Sequence, residues 1–216
     1  MSFPETGRAG RGIFRPGQGG WSLVEFLAAL TLTAMAMSLS LPPTFAWARR
    51  QRLQGAIRRL AQDLQASRWS ALASGRATGL VFTMAAGGDL LWTVYRDGDG
   101  DGLRRADMES GVDIGLSRPR RLSQEAPGVR AGLLTGPSVA GVPRLPPQSG
   151  WIASPQDPIK FGASDVASFS PVGSATSGSL YLTDERDMAA LAINGITGRL
   201  RLFLFDSMDR IWKEMN

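Results

Sequence analysis

The chain has 216 residues, 43% hydrophobic and 20% charged, which is the balance of a folded protein rather than a disordered one. It contains no cysteine and no histidine, which excludes disulfides, Cys/His zinc sites, iron–sulfur clusters and Cys–His or Ser–His–Asp catalysis, and leans away from an enzyme. Lysine occurs only at Lys160 and Lys213, so nearly all positive charge is arginine, and a net charge of +5 does not announce a nucleic-acid protein.

Residues 1–20 read MSFPETGRAGRGIFRPGQGG, rich in Gly and Arg with no apolar period, and form a flexible basic leader. From Ser22 to Leu41 the chain is mostly Leu, Ala, Met, Phe and Val, and Glu25 is the only charge between Arg15 and Arg49. At about 1.5 Å per residue this run spans about 30 Å, the thickness of a bilayer core, so a transmembrane helix is expected over 21–43. Trp21 and Trp47 bracket it as interfacial residues would. A secretory signal peptide with an A-x-A site at Ala46-Trp47-Ala48, leaving a secreted soluble domain, is one alternative, and a plain signal anchor is another. Against the signal peptide stand the length of the apolar run and Glu25, which costs about 2.5–3.5 kcal/mol at mid-membrane depth and less near the edge.

The stretch Gly20-Trp21-Ser22-Leu23-Val24-Glu25 resembles the prepilin signature, with a Gly before the cut and a Glu at the fifth mature position. Pro42 falls where such proteins commonly carry a helix-kinking proline. The resemblance implies a type IV pilin-like protein, cut after Gly20 by a prepilin peptidase that also methylates the new amine of Trp21. It further implies that Glu25 pairs in a filament with the Trp21 amine of a neighbouring subunit. A carboxylate in an apolar phase needs such a partner.

Beyond Arg49, Leu53, Ile57, Leu60 and Leu64 fall at helical spacing, Ala71 extends the stripe, and Gly75 suits a left-handed stop. An amphipathic helix is expected over 44–75, continuing the first and bent near Pro42-Pro43. Arg49, Arg50 and Arg52 read as a solvated face, with a lipid-headgroup or partner role as the alternative. Strands are expected at 77–84 and 89–96 as a hairpin, then at 129–134, 166–169, 179–183, 188–193 and 199–205. The segment 136–158, crowded with Pro, Gly and Ser, reads as a long loop. The expected fold class is α+β: a long N-terminal helix, transmembrane in its first half, on antiparallel β-sheets in a head covering 76–216. Trp69 and Trp92 are expected in the core.

The helix ending LAQDLQASRWSALASG, the strand with Trp92-Thr93-Val94-Tyr95, the segment Phe169-Ser170-Pro171-Val172-Gly173 and the final Gly198-Arg199-Leu200-Arg201 resemble the GspH/FimT group. These are minor pseudopilins of type II secretion and minor pilins of type IV pili. The resemblance implies a structural subunit of a type II secretion pseudopilus, anchored single-pass in the bacterial inner membrane with its head in the periplasm. Other pseudopilins or pilins and the prepilin peptidase would be its partners. The alternative it implies is a minor pilin that binds DNA through Arg199 and Arg201.

Two local patterns carry competing readings. Asp97-Gly98-Asp99-Gly100-Asp101-Gly102 matches the first half of an EF-hand calcium loop, but position twelve is Met108. A solvated Asp-Gly turn and a calcium-stiffened loop held by Asp97, Asp99 and Asp101 both remain open, with no other cofactor expected. Arg199 and Arg201 share a strand face, either as an edge-strand pair deterring aggregation or as a DNA contact.

Overall fold

In the computed structural model the described residues are 22–85, 88–134, 157–206 and 211–215, and for 38–45 the description covers the backbone only. Helix α1 runs Leu23–Ser74, 52 residues, and its backbone stays helical across Pro42 and Pro43. It ends where expected: the Gly75 N–H donates to the Ala71 carbonyl with φ at 66°, the left-handed backbone that glycine adopts without a Cβ penalty. The chain divides into two compact units, 1–44 and 45–216.

In the second unit, strands β1 (Thr78–Met84) and β2 (Leu90–Arg96) form the expected hairpin, in register from Thr78 opposite Arg96 to Met84 opposite Leu90. Short α2 (Arg105–Ser110), β3 (Ile114–Gly115), β4 (Arg120–Arg121), α3 (Leu122–Glu125) and β5 (Arg130–Ala131) follow. Then come β6 (Ile159–Phe161), β7 (Val166–Phe169), β8 (Gly178–Thr183), β9 (Met188–Ile193), β10 (Leu200–Asp206) and β11 (Ile211–Met215). The pairings are antiparallel throughout. One sheet is ordered β3-β2-β1-β7 with β4 also on β2, and the other β11-β10-β9-β8-β5 with β6 also on β8.

The predicted stripe of α1 is the centre of the core. Leu53, Ile57, Leu60, Leu64 and Ala71 are buried in one cluster with Leu80, Phe82, Leu90 and Trp92 of the first sheet and Leu180, Leu182, Leu191 and Ile193 of the second. Every residue of β8 and β9 is buried, so β9 reads MAALAI, a continuous apolar run rather than an alternating one. The inward members belong to the α1 cluster, while Tyr181, Met188, Ala190 and Ala192 join Phe203, Phe205 and Leu133 in a second. A polar clasp ties α1 to the first sheet: Asp63 Oδ2 accepts from Trp92 Nε1 at 2.9 Å and from Arg120 at 2.7 Å, and the Arg120 guanidinium lies 5.3 Å from the Trp92 ring centroid.

Several expectations need correction. The expected α+β fold, with a helix whose first half is transmembrane, gives way to two antiparallel sheets with α1 and two short helices. Among the described residues no helix is long and apolar enough to cross a membrane. The physical reason is length: the apolar side chains described between 23 and 37 cover about 22 Å at about 1.5 Å per residue, against a bilayer core of about 30 Å. Glu25, Thr31 and Thr33 interrupt them further. The transmembrane assignment of 21–43 is therefore withdrawn, and with it the single-pass inner-membrane location with a periplasmic head.

Trp69 is 61% exposed rather than in the core, whereas Trp92 is buried as expected. Trp69 lies two residues past the buried Ser67 and two before the buried Ala71, off the stripe that faces the sheets. The expected strand at 129–134 shrinks to β5, and α2, α3, β3, β4, β6 and β11 had no counterpart among the elements expected from the sequence. The loop expected at 136–158 lies, apart from its last two residues, outside the described residues.

Candidate functional site

Three places carry the residues singled out from the sequence, and each is built differently. Gly20 and Trp21 lie outside the described residues, and for Pro42 only the helical backbone is described.

At the start of α1, Glu25 is exposed and meets its own chain. The Ser22 backbone N–H donates to Glu25 Oε2 at 3.1 Å, and the Glu25 backbone N–H donates to Ser22 Oγ at 3.1 Å. That is a reciprocal capping box, satisfying two backbone donors at a helix start. Its sequence signal is the Ser-x-x-Glu spacing, which the prepilin resemblance overshadows. The carboxylate therefore has a structural role in the single chain, and it also stands where the positive end of the helix favours negative charge.

The Asp-Gly loop follows β2 and brings Asp97, Asp99 and Asp101 together, with one carboxylate oxygen from each within 4.8 Å of the others. Asp97 is buried. Its Oδ1 accepts from the backbone N–H of Asp99 (3.2 Å) and Gly100 (2.7 Å), and its Oδ2 from Gly102 (3.2 Å). Gly100 and Gly102 have φ of 99° and 97°, which lets the loop curl around that carboxylate. Buried Asp113 completes the frame, accepting from the backbone N–H of Gly98 at 3.1 Å and of Arg104 at 3.1 Å. The Asp101 N–H donates to Asp99 and holds that carboxyl below its usual range. Arg104 forms an ion pair with Asp101.

Calcium would take six to eight oxygens, so beyond the three carboxylates it would need further ligands, and it would compete with the amides on Asp97 and with Arg104 on Asp101. The position-twelve residue of the EF-hand comparison, Met108, sits in α2, and the second buried carboxylate comes from Asp113 instead. No spacing rule in the sequence pointed to Asp113.

Arg199 and Arg201 reach one groove but have different surroundings. Arg201 makes a bidentate pair with Glu214 of β11, at 2.9 Å from Nε to Oε1 and 2.6 Å from the guanidinium to Oε2. It also lies 4.9 Å from the Phe203 ring centroid. This pairing pulls the Glu214 carboxyl below its usual range and pushes the Arg201 guanidinium up. Arg199 precedes β10 and is exposed. The Glu214 carboxylate is bonded to Arg201 and also feels the charge of Arg199.

No protein-family model, curated protein or solved structure matches this chain.

Proposed function

We propose that the protein is a structural subunit that assembles through the first part of α1, as a minor pseudopilin of a type II secretion filament would. The supporting observation is the exposure of Leu23, Val24, Phe26, Leu27, Leu30 and Leu32, between 51% and 75%, in one continuous helix. An exposed apolar surface of this density marks an interaction site. The stripe Phe26, Ala29, Leu30, Thr33 and Ala34 mixes large and small side chains at helical spacing, which suits packing against a neighbouring helix. In this reading processing after Gly20 leaves Trp21 as the first residue, and Glu25 serves twice, capping its own helix and then neutralising a neighbour's amine. Secretion of other proteins is the task the resemblance assigns to such a filament, and the chain itself does no chemistry.

The chain has no cysteine, so single cysteines placed at Leu27 and Leu30 report helix contacts without background. Disulfide-linked dimers are expected from both in cells and none from a cysteine at Trp69, which is exposed on the other unit. Glu25→Gln preserves an oxygen for the capping box and removes the charge, so it should leave the helix intact and cut cross-linking several-fold. Intact mass of the native protein should correspond to a methylated chain starting at Trp21. Cross-linking unchanged in Glu25→Gln would refute the charge pairing, and a native start at Arg49 would refute the subunit assignment.

A further inference from the structure

Within the 45–216 unit, α1 and the β10–β11 edge of the second sheet leave a groove of about 500 Å³. Its apolar lining is Ala61, Leu200, Leu202 and Met215, each half-buried and packed on the main core. Its α1 wall is Arg58, Gln62 and Gln65, which with Ala61 sit at i, i+3, i+4 and i+7 and so share one helix face. Its opposite wall is Arg199 and the Arg201–Glu214 pair.

The charges in this groove do not balance. Arg201 is bonded to Glu214, which Arg199 also helps to hold ionised, and neither Arg58 nor Arg199 is in an ion pair among the described residues, so three arginines face one carboxylate. Two arginines and two side-chain amides therefore border an apolar lining, a combination that selects an apolar group with a carboxylate beside it.

We propose that this groove binds an acidic peptide segment of a partner protein. An apolar side chain of the segment lies on Ala61, Leu202 and Met215, and a carboxylate is held by Arg58 and Arg199. A nucleic acid fits less well. Its phosphates recur at short intervals and would meet Glu214, the paired Arg201 offers less to a polyanion than a free arginine would, and among the described residues the groove presents no aromatic surface to bases. Binding here requires only the 45–216 unit's own surface, so it stands or falls separately from assembly through α1.

The test is fluorescence polarisation of the full chain against a set of labelled hexapeptides. Each carries one Leu, Val or Phe with Asp or Glu at every offset from it, and each has a twin with Asn or Gln in place of the acid. At least one acidic peptide should bind tenfold tighter than its twin, with the gap narrowing as salt rises. Arg58→Gln and Arg199→Gln should each weaken that peptide fivefold or more. Arg118→Gln, an exposed arginine outside the groove, should not. Circular dichroism identifies any variant that fails to fold, and Gln62→Leu, which keeps the helix and changes the wall, gives a second perturbation expected to weaken binding. Acidic peptides no tighter than their twins, or losses equal in Arg118→Gln, overturn the proposal. So does a duplex DNA probe that binds tighter than every peptide and loses affinity in the same two arginine variants.

Discussion

Between Leu23 and Leu32 every large apolar side chain stands at least half exposed, whereas Leu53, Ile57, Leu60 and Leu64 further along the same helix are at most 1% exposed. The two stretches differ in pattern. In the second, apolar residues recur on one face and charged ones fill the other, so one chain can bury them against its own sheets. In the first, apolar residues surround the helix, and no single sheet could cover them all. In the proposed assembly, neighbouring subunits would cover this all-round apolar surface.

The sharpest way to break this comparison is to truncate one leucine in each stretch. Leu64→Ala should cost about 2–5 kcal/mol in urea unfolding of the full chain, because a fully buried leucine leaves a cavity that its neighbours fill only in part. Leu27→Ala and Leu30→Ala should change that same transition by less than about 0.5 kcal/mol, as exposed substitutions do. Fluorescence of buried Trp92 gives the signal for the head. A cost above about 1 kcal/mol at Leu27 would mean that the first stretch is covered within its own chain, and the contrast would be lost.

The buried half of the comparison is legible in the sequence to a degree that the exposed half is not. The stripe from Leu53 to Ala71, the stop at Gly75, the β1–β2 hairpin and strands β7 to β10 all announce themselves by period, by β-branched and aromatic content, or by flanking turns. Two-residue strands such as β3 and β4 carry no period to read, and β11, IWKEM, lies past a pairing partner that sequence spacing does not reveal. The apolar run at Ser22–Leu41 reads by composition as a membrane span, and composition cannot tell a span from an apolar helix surface of another kind. At the sites the pattern repeats. Spacing finds the three loop aspartates, but Asp113, Arg58 and Glu214 reach their places only through the fold, and Arg199 and Arg201 look alike until Glu214 separates them.

A second prediction asks whether the head's polar interior is held as firmly as its apolar one. Asp97 accepts three backbone N–H groups while buried, so Asp97→Ala should cost about 1–3 kcal/mol by leaving those amides without acceptors. Amide exchange at Asp99, Gly100 and Gly102 should speed up by more than about tenfold, with exchange in β8 and β9 following only the global loss. Millimolar calcium should leave the wild-type melting temperature unchanged. A rise of several degrees that is lost in Asp99→Asn would show that the loop takes the ion after all.

The smallest effect concerns a carboxylate that the fold holds at a disadvantage. Asp187 closes the turn between β8 and β9, and its backbone groups bond to the Asp184 carboxylate and the Thr183 hydroxyl. Burial pushes its carboxyl above the usual value of 3.8, and the charge of Asp184 adds to that, while Arg50 and Arg49 pull the other way. A carboxyl with a raised folded-state pKa binds its proton more tightly folded than unfolded. Its contribution to stability is therefore full below 3.8 and is lost as pH rises through the raised value, leaving a penalty at neutral pH. Asp187→Asn has no charge to desolvate and keeps the backbone bonds of the turn. It should melt slightly above the wild type at pH 7, and the difference should close as pH falls below about 4. The side chain is only partly buried, so solvent screening keeps the gain small, well under the costs at Leu64 and Asp97. A variant less stable than the wild type at pH 7, or a gain that persists at about pH 3, would show that burial does not set the balance at this carboxyl. In the first case the arginines at the start of the head's helix outweigh desolvation, and the turn is held by charge and not merely tolerated.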